Sequence, residues 1–329
     1  MKKESIMKIL GIVLLLIILL LLIAEVIIVH YFVKMVTRPK VNPAEKQYER
    51  LIEKGCLKRE VYETCEVEKE KFLLPSQYGY SLYCELLTTE ASRRPENRSR
   101  VAIMCHGFTS CRYGMLPYAA LYLKRGFSVV IYDHRNHGDS GKARTSMGYY
   151  EKYDLKTLVD WCYERFGEDV RLITHGGSMG AATVLYHLTI DDRIVCAVED
   201  CGYSSFREQM MHMAVNKYKL PAFPSIQLIR LFIRLICGFD LNTVRPIDGA
   251  VNSRTPILFI HGEADDFVPT WMCRKMYDAR TGPKRLFLVP GAGHAESIDT
   301  DPAGYERVLE EFLNTYYEQS DTAVRKAGC

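Results

Sequence analysis

Val170-Arg-Leu-Ile-Thr-His-Gly-Gly-Ser-Met-Gly180 is the stretch from which the rest of the chain can be ordered. Val170 to Thr174 is a short apolar run that reads as a buried strand. It ends in Gly176-Gly177-Ser178-Met179-Gly180, a G-x-S-x-G, followed at helical spacing by Ala181, Ala182, Val184, Leu185 and Leu188. Strand, glycine turn and helix are the setting of a nucleophile elbow, in which a sharp turn lifts the serine hydroxyl off the top of a sheet. Small residues must flank the serine because a Cβ there would strike the neighbouring strand or helix. Alone, the pattern fits a plain glycine turn equally well. The partners available to Ser178 decide between the two.

Working outward, the chain from Val101 repeats strand, loop and helix. Strands are predicted at 101–105, 128–132, 194–200, 256–260 and 285–289, with helices near 113–125, 150–166 and 303–317. Such alternation implies a mainly parallel sheet with helices on both faces. Ahead of it, 66–74 and 80–88 alternate polar and apolar residues around Pro75-Ser-Gln-Tyr-Gly79 and read as an antiparallel leading hairpin. The alternation stops between Cys201 and Arg254, where Met210, Met211 and Met213 precede a very apolar helix near 226–237. An insertion here (about 203–252) would lie above the strands' carboxyl ends, where open sheets bind ligands. It reads as a small helical cap, the plainer alternative being a packing helix with methionine filler.

A serine nucleophile needs a base to take its proton and an acid to orient that base. Gly291-Ala-Gly-His294 follows the last strand, and His261-Gly-Glu-Ala-Asp265-Asp266-Phe-Val-Pro269 follows the one before it. The order Ser178, Asp265, His294 is the Ser…Asp…His order of one class of serine hydrolases, with each motif at a strand's carboxyl end. This favours the elbow over the plain turn.

Taken together, His106-Gly107, Asp133-x-Arg135-x-x-Gly138-x-Ser140, Gly176-x-Ser178-x-Gly180, His261-Gly-x-x-Asp265-x-x-Val-Pro269 and Gly293-His294 resemble the α/β-hydrolase superfamily. The narrower likeness is to its bacterial serine hydrolases of the esterase, acylglycerol lipase and proline-iminopeptidase-like group. The resemblance covers about residues 66–318 and implies the α/β-hydrolase fold. It implies that Ser178 attacks an acyl carbonyl, His294 shuttles the proton and Asp265, in preference to Asp266, holds His294. The oxyanion hole is expected to use the backbone N–H groups of Met179, first in its helix, and Phe108, after His106-Gly107. The chain departs from the HGGG form of some lipases at the second of these. His134 and His137, beside Asp133 and Asp139, match a structural motif of the family, so no metal is expected. His175 and His261 precede functional turns and are expected to pack or hydrogen-bond. Arg112 and Tyr113 read equally as substrate contacts or as the start of a helix.

The amino terminus carries a separate signal. In Ile9–Val29, 18 of 21 positions are Leu, Ile or Val, preceded by Lys2, Lys3 and Lys8. At about −0.3 to −0.6 kcal/mol each, these residues favour membrane insertion by roughly 5–10 kcal/mol, more than Glu25 near the end reverses. The run exceeds a signal peptide's ~7–15 apolar residues and lacks a clear A-x-A. A single transmembrane anchor at 1–34 is therefore expected, then a polar juxtamembrane connector at 35–64, a hydrolase domain at 65–320 and a tail at 321–329. The basic start and long following domain suggest a cytoplasmic N-terminus with the catalytic domain extracytoplasmic. Eleven cysteines without CxxC or metal spacing read as free thiols, which by themselves suggest a reducing compartment and stand in tension with that orientation.

At 329 residues, with 48% hydrophobic and 25% charged residues, the chain has an ordinary globular composition. A net charge of +3 without a Lys/Arg block argues against nucleic acid as partner. The resulting expectation is a membrane-anchored, cofactor-free serine hydrolase cleaving acyl-chain or lipid-like carboxylic esters. A peptidase or amidase of the proline-iminopeptidase type uses the same triad. An inactive binding protein on the same fold is the third reading, disfavoured by an intact Ser, Asp and His.

Overall fold

The computed structural model describes residues 2–41, 43–57, 62–63 and 66–319. The tail expected at 321–329, the start of the expected hydrolase domain at residue 65, and Cys65 and Cys329 lie outside these residues. In chain order the elements are α1 (Lys2–Thr37), α2 (Ala44–Glu53), β1 (Glu68–Pro75), β2 (Ser81–Thr88), β3 (Arg100–Cys105), α3 (Leu116–Leu123) and β4 (Ser128–Tyr132). There follow α4 (Glu151–Phe166), β5 (Arg171–Gly177), α5 (Met179–His187), β6 (Ile194–Asp200), α6 (Phe206–Met211), α7 (Ala222–Cys237) and α8 (Pro246–Asn252). The chain closes with β7 (Ile257–Gly262), α9 (Trp271–Ala279), β8 (Lys284–Val289) and α10 (Pro302–Phe312).

The eight strands form one sheet in the order β1-β2-β4-β3-β5-β6-β7-β8. β1 pairs antiparallel with β2, and β2 with β4; from β4 to β8 all pairings are parallel. Alternate residues of each central strand point to opposite faces. Met104, Ile131, Ile173 and Val198 bury themselves with α3 and α10 on one side. Ile103, Val130, Leu172 and Ala197 do so with α4, α5 and α9 on the other. Two apolar faces explain why these strands read as nearly continuous hydrophobic runs. The β1–β2 hairpin has a partner on one edge only, and the alternation expected there is not clean: β1 exposes four consecutive charged residues, Glu68, Lys69, Glu70 and Lys71, and burial alternates only from Phe72 onward.

Two stretches are more divided than their sequence suggests. The helix expected at 113–125 starts with a tight turn over Arg112–Met115 before α3, because Pro117 fits only the first turn of an α-helix. The insertion after β6 also splits. α6 continues into a widened turn at His212–Lys217 and is followed by α7, while α8 returns to the sheet layer and packs on α5. Gly249 permits that contact, since a Cβ would collide with the Leu185 carbonyl.

α1 is one helix among the described residues long and apolar enough to cross a membrane. Its 36 residues span about 54 Å, well beyond the ~30 Å of a hydrocarbon core. Residues 4–24 are exposed along their whole length. The excess belongs to the domain: Val29, Phe32, Val33 and Val36 are buried with Ile226, Ile229 and Ile233 of α7, and the Thr145 N–H donates to the Thr37 carbonyl at 3.0 Å. The helix thus runs unbroken past residue 34, where the anchor was expected to end.

Candidate active site

β5 delivers Ser178 into a backbone conformation that few side-chain-bearing residues adopt, with φ 55° and ψ −115°. The turn closes only because its flanks are glycines. A Cβ on Gly176 would collide with the backbone of Gly180, and one on Gly180 with the Cys105 carbonyl. The Ser178 N–H donates to the Asp200 carbonyl at 2.8 Å, tying the elbow to β6.

The loops after β7 and β8 bring Asp265 and His294 to this serine. His294 Nε2 lies 2.8 Å from Ser178 Oγ, and His294 Nδ1 lies 2.7 Å from Asp265 Oδ2. The other carboxylate oxygen of Asp265 accepts the N–H groups of Phe267 and Val268, both at 2.9 Å. Burial would raise the Asp265 pKa, but hydrogen bonds from His261 and His294 outweigh it and hold the group well below the ordinary carboxylate range. Asp266 does not share this position; its carbonyl accepts from the His212 ring.

His261, expected to pack or hydrogen-bond, does the latter. Its Nε2 is 2.8 Å from the Val268 carbonyl and 3.2 Å from Asp265 Oδ2, the same oxygen that His294 contacts. A hydrogen-bonding role was expected of it; the identity of the partner, Asp265, was not. His175, by contrast, is turned away from the serine, its two nitrogens engaged by the Tyr122 and Tyr305 hydroxyls at 3.1 and 3.0 Å. Burial pushes its pKa down to about 3, so it stays neutral.

The loop after β3 approaches from the other flank. A Cβ built on Gly107 would lie 3.4 Å from the Ser178 Cβ, so Phe108 follows immediately beside Ser178. Met179 opens α5 directly after it. His106 anchors the loop, accepting the His134 N–H on Nε2 at 2.9 Å. Arg112 and Tyr113 are buried in a charge cluster instead of facing substrate. Arg112 Nε bonds Glu85 at 2.7 Å and its Nη1 bonds Asp133 at 2.5 Å, while the Tyr113 hydroxyl donates to Glu85 at 3.1 Å.

On distance alone, Cys201, Asp265 and His294 could surround a metal ion, their ligand atoms lying within 4.8 Å of one another. The donor set does not suit one. Both His294 nitrogens are engaged by Ser178 and Asp265, and burial pushes the Cys201 thiol well up, away from the thiolate a metal requires.

Ser178 and His294 border two cavities. The larger, about 500 Å³, is lined largely by apolar side chains: Phe32, Met35 and Val36 of α1, Met210 and Met213 of the segment after β6, and Phe267. The smaller, about 220 Å³, is more polar and is walled by Gln47 and Leu51 of α2, Ser110 and Asp299. Thus α1 and α2, from the expected anchor and connector, each wall a cavity that Ser178 borders. Ala44, Tyr48, Leu51 and Ile52 repeat at i, i+4, i+7 and i+8, a stripe that marks α2 as a packed helix.

Residues 96–201 match the family model described as serine aminopeptidase, S33. The chain is 32% identical over 265 residues to the Bacillus subtilis protein YqkD, covering 80% of this chain and 85% of that one. It is 27% identical to the Saccharomyces cerevisiae membrane protein YNL320W, over 67% of this chain and 72% of that. Among solved structures it is similar to the Pyrococcus furiosus esterase Pf2001, with a TM-score of 0.62 and 23% identity, over 76% of this chain and 92% of that. The parallel sheet with its strand-to-helix turn at Ser178, the family-model match and the similarity to YqkD lead to one conclusion: this chain belongs to the α/β-hydrolase superfamily.

Proposed function

We propose that the chain is a membrane-anchored serine hydrolase that cleaves carboxylic esters of acyl-chain or lipid-like substrates. One observation carries the reading: the hydrogen-bonded relay Asp265–His294–Ser178 stands on an elbow at the wall of a largely apolar 500 Å³ cavity. In this reading Ser178 Oγ attacks the ester carbonyl carbon while His294 Nε2 takes its proton. Asp265 stabilises the imidazolium and holds its orientation. The Met179 and Phe108 N–H groups receive the oxyanion. Collapse of the tetrahedral intermediate expels the alcohol, which leaves with the proton from His294. A water then gives its proton to His294 and attacks the acyl-enzyme, releasing the carboxylic acid and restoring Ser178. No cofactor enters.

The domain reading that goes with this is an anchor in α1, a hydrolase domain on the sheet and a cap formed by α6 and α7. The similarity to YNL320W, a protein described as a membrane protein, supports the anchor. Lys34, Arg38 and Lys40 nearly balance the basic residues before the apolar run, and the support for an extracytoplasmic catalytic domain is the basic start combined with the long domain that follows.

The likeness to the serine aminopeptidase model favours a second reading, an amide or peptide hydrolase, since the same relay serves both reactions. An aminopeptidase must hold a cationic amine. Among the described residues lining the larger cavity there is no carboxylate, and Lys40 is the one Lys or Arg there; of the two cavities, Asp299 lines the smaller only. That favours an uncharged acyl group. A fluorophosphonate probe is expected to label the wild type and not Ser178→Ala. A panel of p-nitrophenyl esters and aminoacyl amides is expected to show ester turnover in excess. Absence of labelling on folded protein refutes the enzyme, and faster turnover of alanine or proline amides refutes the ester preference.

A further inference from the structure

The larger cavity has an unusual wall. Phe32, Met35 and Val36 belong to the same uninterrupted helix whose residues 4–24 are exposed and apolar. Ile6 to Ala24 covers about 29 Å at the rise of an α-helix, the thickness of one hydrocarbon core. The cavity wall therefore begins within about three turns of the point where α1 would leave a bilayer.

The cap meets α1 at that point. The Ser225 hydroxyl donates to the Glu25 carboxylate, so the only acidic residue of the apolar run is satisfied by the first turns of α7. Further along, the His30 and Phe232 rings meet edge to face at 5.6 Å, and those of Phe32 and Tyr218 at 5.4 Å. α7 accordingly runs alongside α1 from Glu25 onward. Its buried stripe of Ile226, Ile229 and Ile233 faces α1 and the cap interior. Its outer face carries Leu231 and Leu235, exposed at 48% and 70%, beside Arg234, while Arg230 is paired with Asp240; Phe223, 75% exposed, precedes them in extended backbone at the helix start. Large apolar side chains flanked by long cationic ones are the pattern of a helix lying at a bilayer surface, the apolar groups dipping in and the cations reaching back to the headgroups.

Resting on the membrane-anchor and ester-hydrolase reading above, we infer that α1 and α7 form a single membrane-seated unit, and that the 500 Å³ cavity takes the acyl chain of a lipid ester from the leaflet in which that unit sits. The bilayer is the occupant of the exposed α7 face because that face is continuous with the exposed length of α1. The membrane helix is then part of the acyl subsite as well as a tether. Phe32, Met35 and Val36 line the chain's path from one side, and Met210 and Met213 from the other. Unbranched methionine side chains adapt to chains of differing shape.

The test uses the full-length protein in phosphatidylcholine/phosphatidylglycerol vesicles. A fluorogenic diacylglycerol ester is placed either in the same vesicles as the protein or in separate ones. Hydrolysis is expected at least tenfold faster in the same vesicles; equal rates would overturn entry from the leaflet. Met35 is partly exposed, so Met35→Trp fills the cavity without loading the core. The ratio of C12–C16 to C2–C4 p-nitrophenyl ester turnover is expected to fall at least tenfold, with fluorophosphonate labelling reporting that the site is assembled. An unchanged ratio in labelled protein overturns the role of α1 in the acyl subsite. A second variant, Phe223→Ser with Leu235→Ser, is expected to lower same-vesicle lipid turnover at least fivefold relative to dissolved C4 ester; no change overturns the seating of α7. Failure of the wild type to hydrolyse any ester, short ones included, would overturn the ester-hydrolase reading itself and this inference with it. The inference alone fails when short esters are cleaved and the ratios do not move.

Discussion

Replacing Asp265 by Asn tests the proposed relay with little change in shape. Two backbone amides, those of Phe267 and Val268, point at Asp265 Oδ1 from 2.9 Å. Both are donors, so the amide oxygen of Asn must occupy that position, and its NH2 must occupy the Oδ2 position. There it meets His294 Nδ1 at 2.7 Å and His261 Nε2 at 3.2 Å. The NH2 is a donor and can satisfy His294 only if Nδ1 carries no proton, which moves the ring's proton to Nε2. Nε2–H then faces Ser178 Oγ at 2.8 Å and cannot accept its proton. Wrong-tautomer substitutions of this kind lower kcat by about 10⁴, equivalent to about 5.5 kcal/mol of barrier. The assay is steady-state hydrolysis of p-nitrophenyl butyrate together with the rate of fluorophosphonate labelling, and both should fall together because both need an activated Ser178. Circular dichroism and a melting curve establish that the variant is folded. A folded Asp265→Asn protein with kcat within tenfold of wild type refutes the reasoning, and Asp265 would then not be the residue that sets the His294 tautomer.

Two further outcomes follow from other parts of the structure. Glu199 is fully buried below the elbow, beside His261, Asp200 and Cys273, and burial pushes its pKa up to about 8. Its folded-state pKa thus exceeds its unfolded value of about 4.3, so the native state holds a proton the unfolded state has lost, and stability falls as pH rises from about 4.5 to about 8. Glu199→Gln, whose side-chain oxygen can still accept the Gly202 N–H, is expected to stabilise by a few kcal/mol at pH 9 and by little at pH 4.5. Melting temperatures across that range check it, and a constant difference would refute it. Protease treatment of intact cells is expected to remove the catalytic domain and leave α1 protected, in keeping with a cytoplasmic amino terminus; full protection would reverse the orientation.

Much of this molecule was legible because it is local. The strand starts agree with the apolar runs to within a residue or two, since burial on both sheet faces demands unbroken β-branched and aliphatic stretches. The elbow was legible because its steric requirement is met within five residues, Gly176 to Gly180. Ser178, Asp265 and His294 could be ordered as candidates because each closes a strand, and all parallel strands end on the same side of the sheet. The helices α8 and α9 lacked such a signal. Pro246–Asn252 and Trp271–Ala279 are short, and the helical spacing of Met272, Cys273 and Met276 in the second spans little more than one turn.

What the sequence determined by itself was the superfamily, the sheet and the residues that could form a relay, because these follow from short-range sterics and hydrophobic pattern. Only the tertiary structure decided what surrounds Ser178. His261 bonds the acid, Arg112 withdraws into a cluster with Glu85 and Asp133, and the ends of α1 and α2 wall the two cavities. The His261 contact is local to the turn after β7, but the Arg112 cluster and the cavity walls join residues far apart in the chain; Phe32 and Ser178 are brought to one cavity by the packing of α1 on α7. An apolar run long enough for a membrane gives the same signal whether its end is free or buried. Which it is depends on the partner surface that folding supplies, here Ile226, Ile229 and Ile233 of α7.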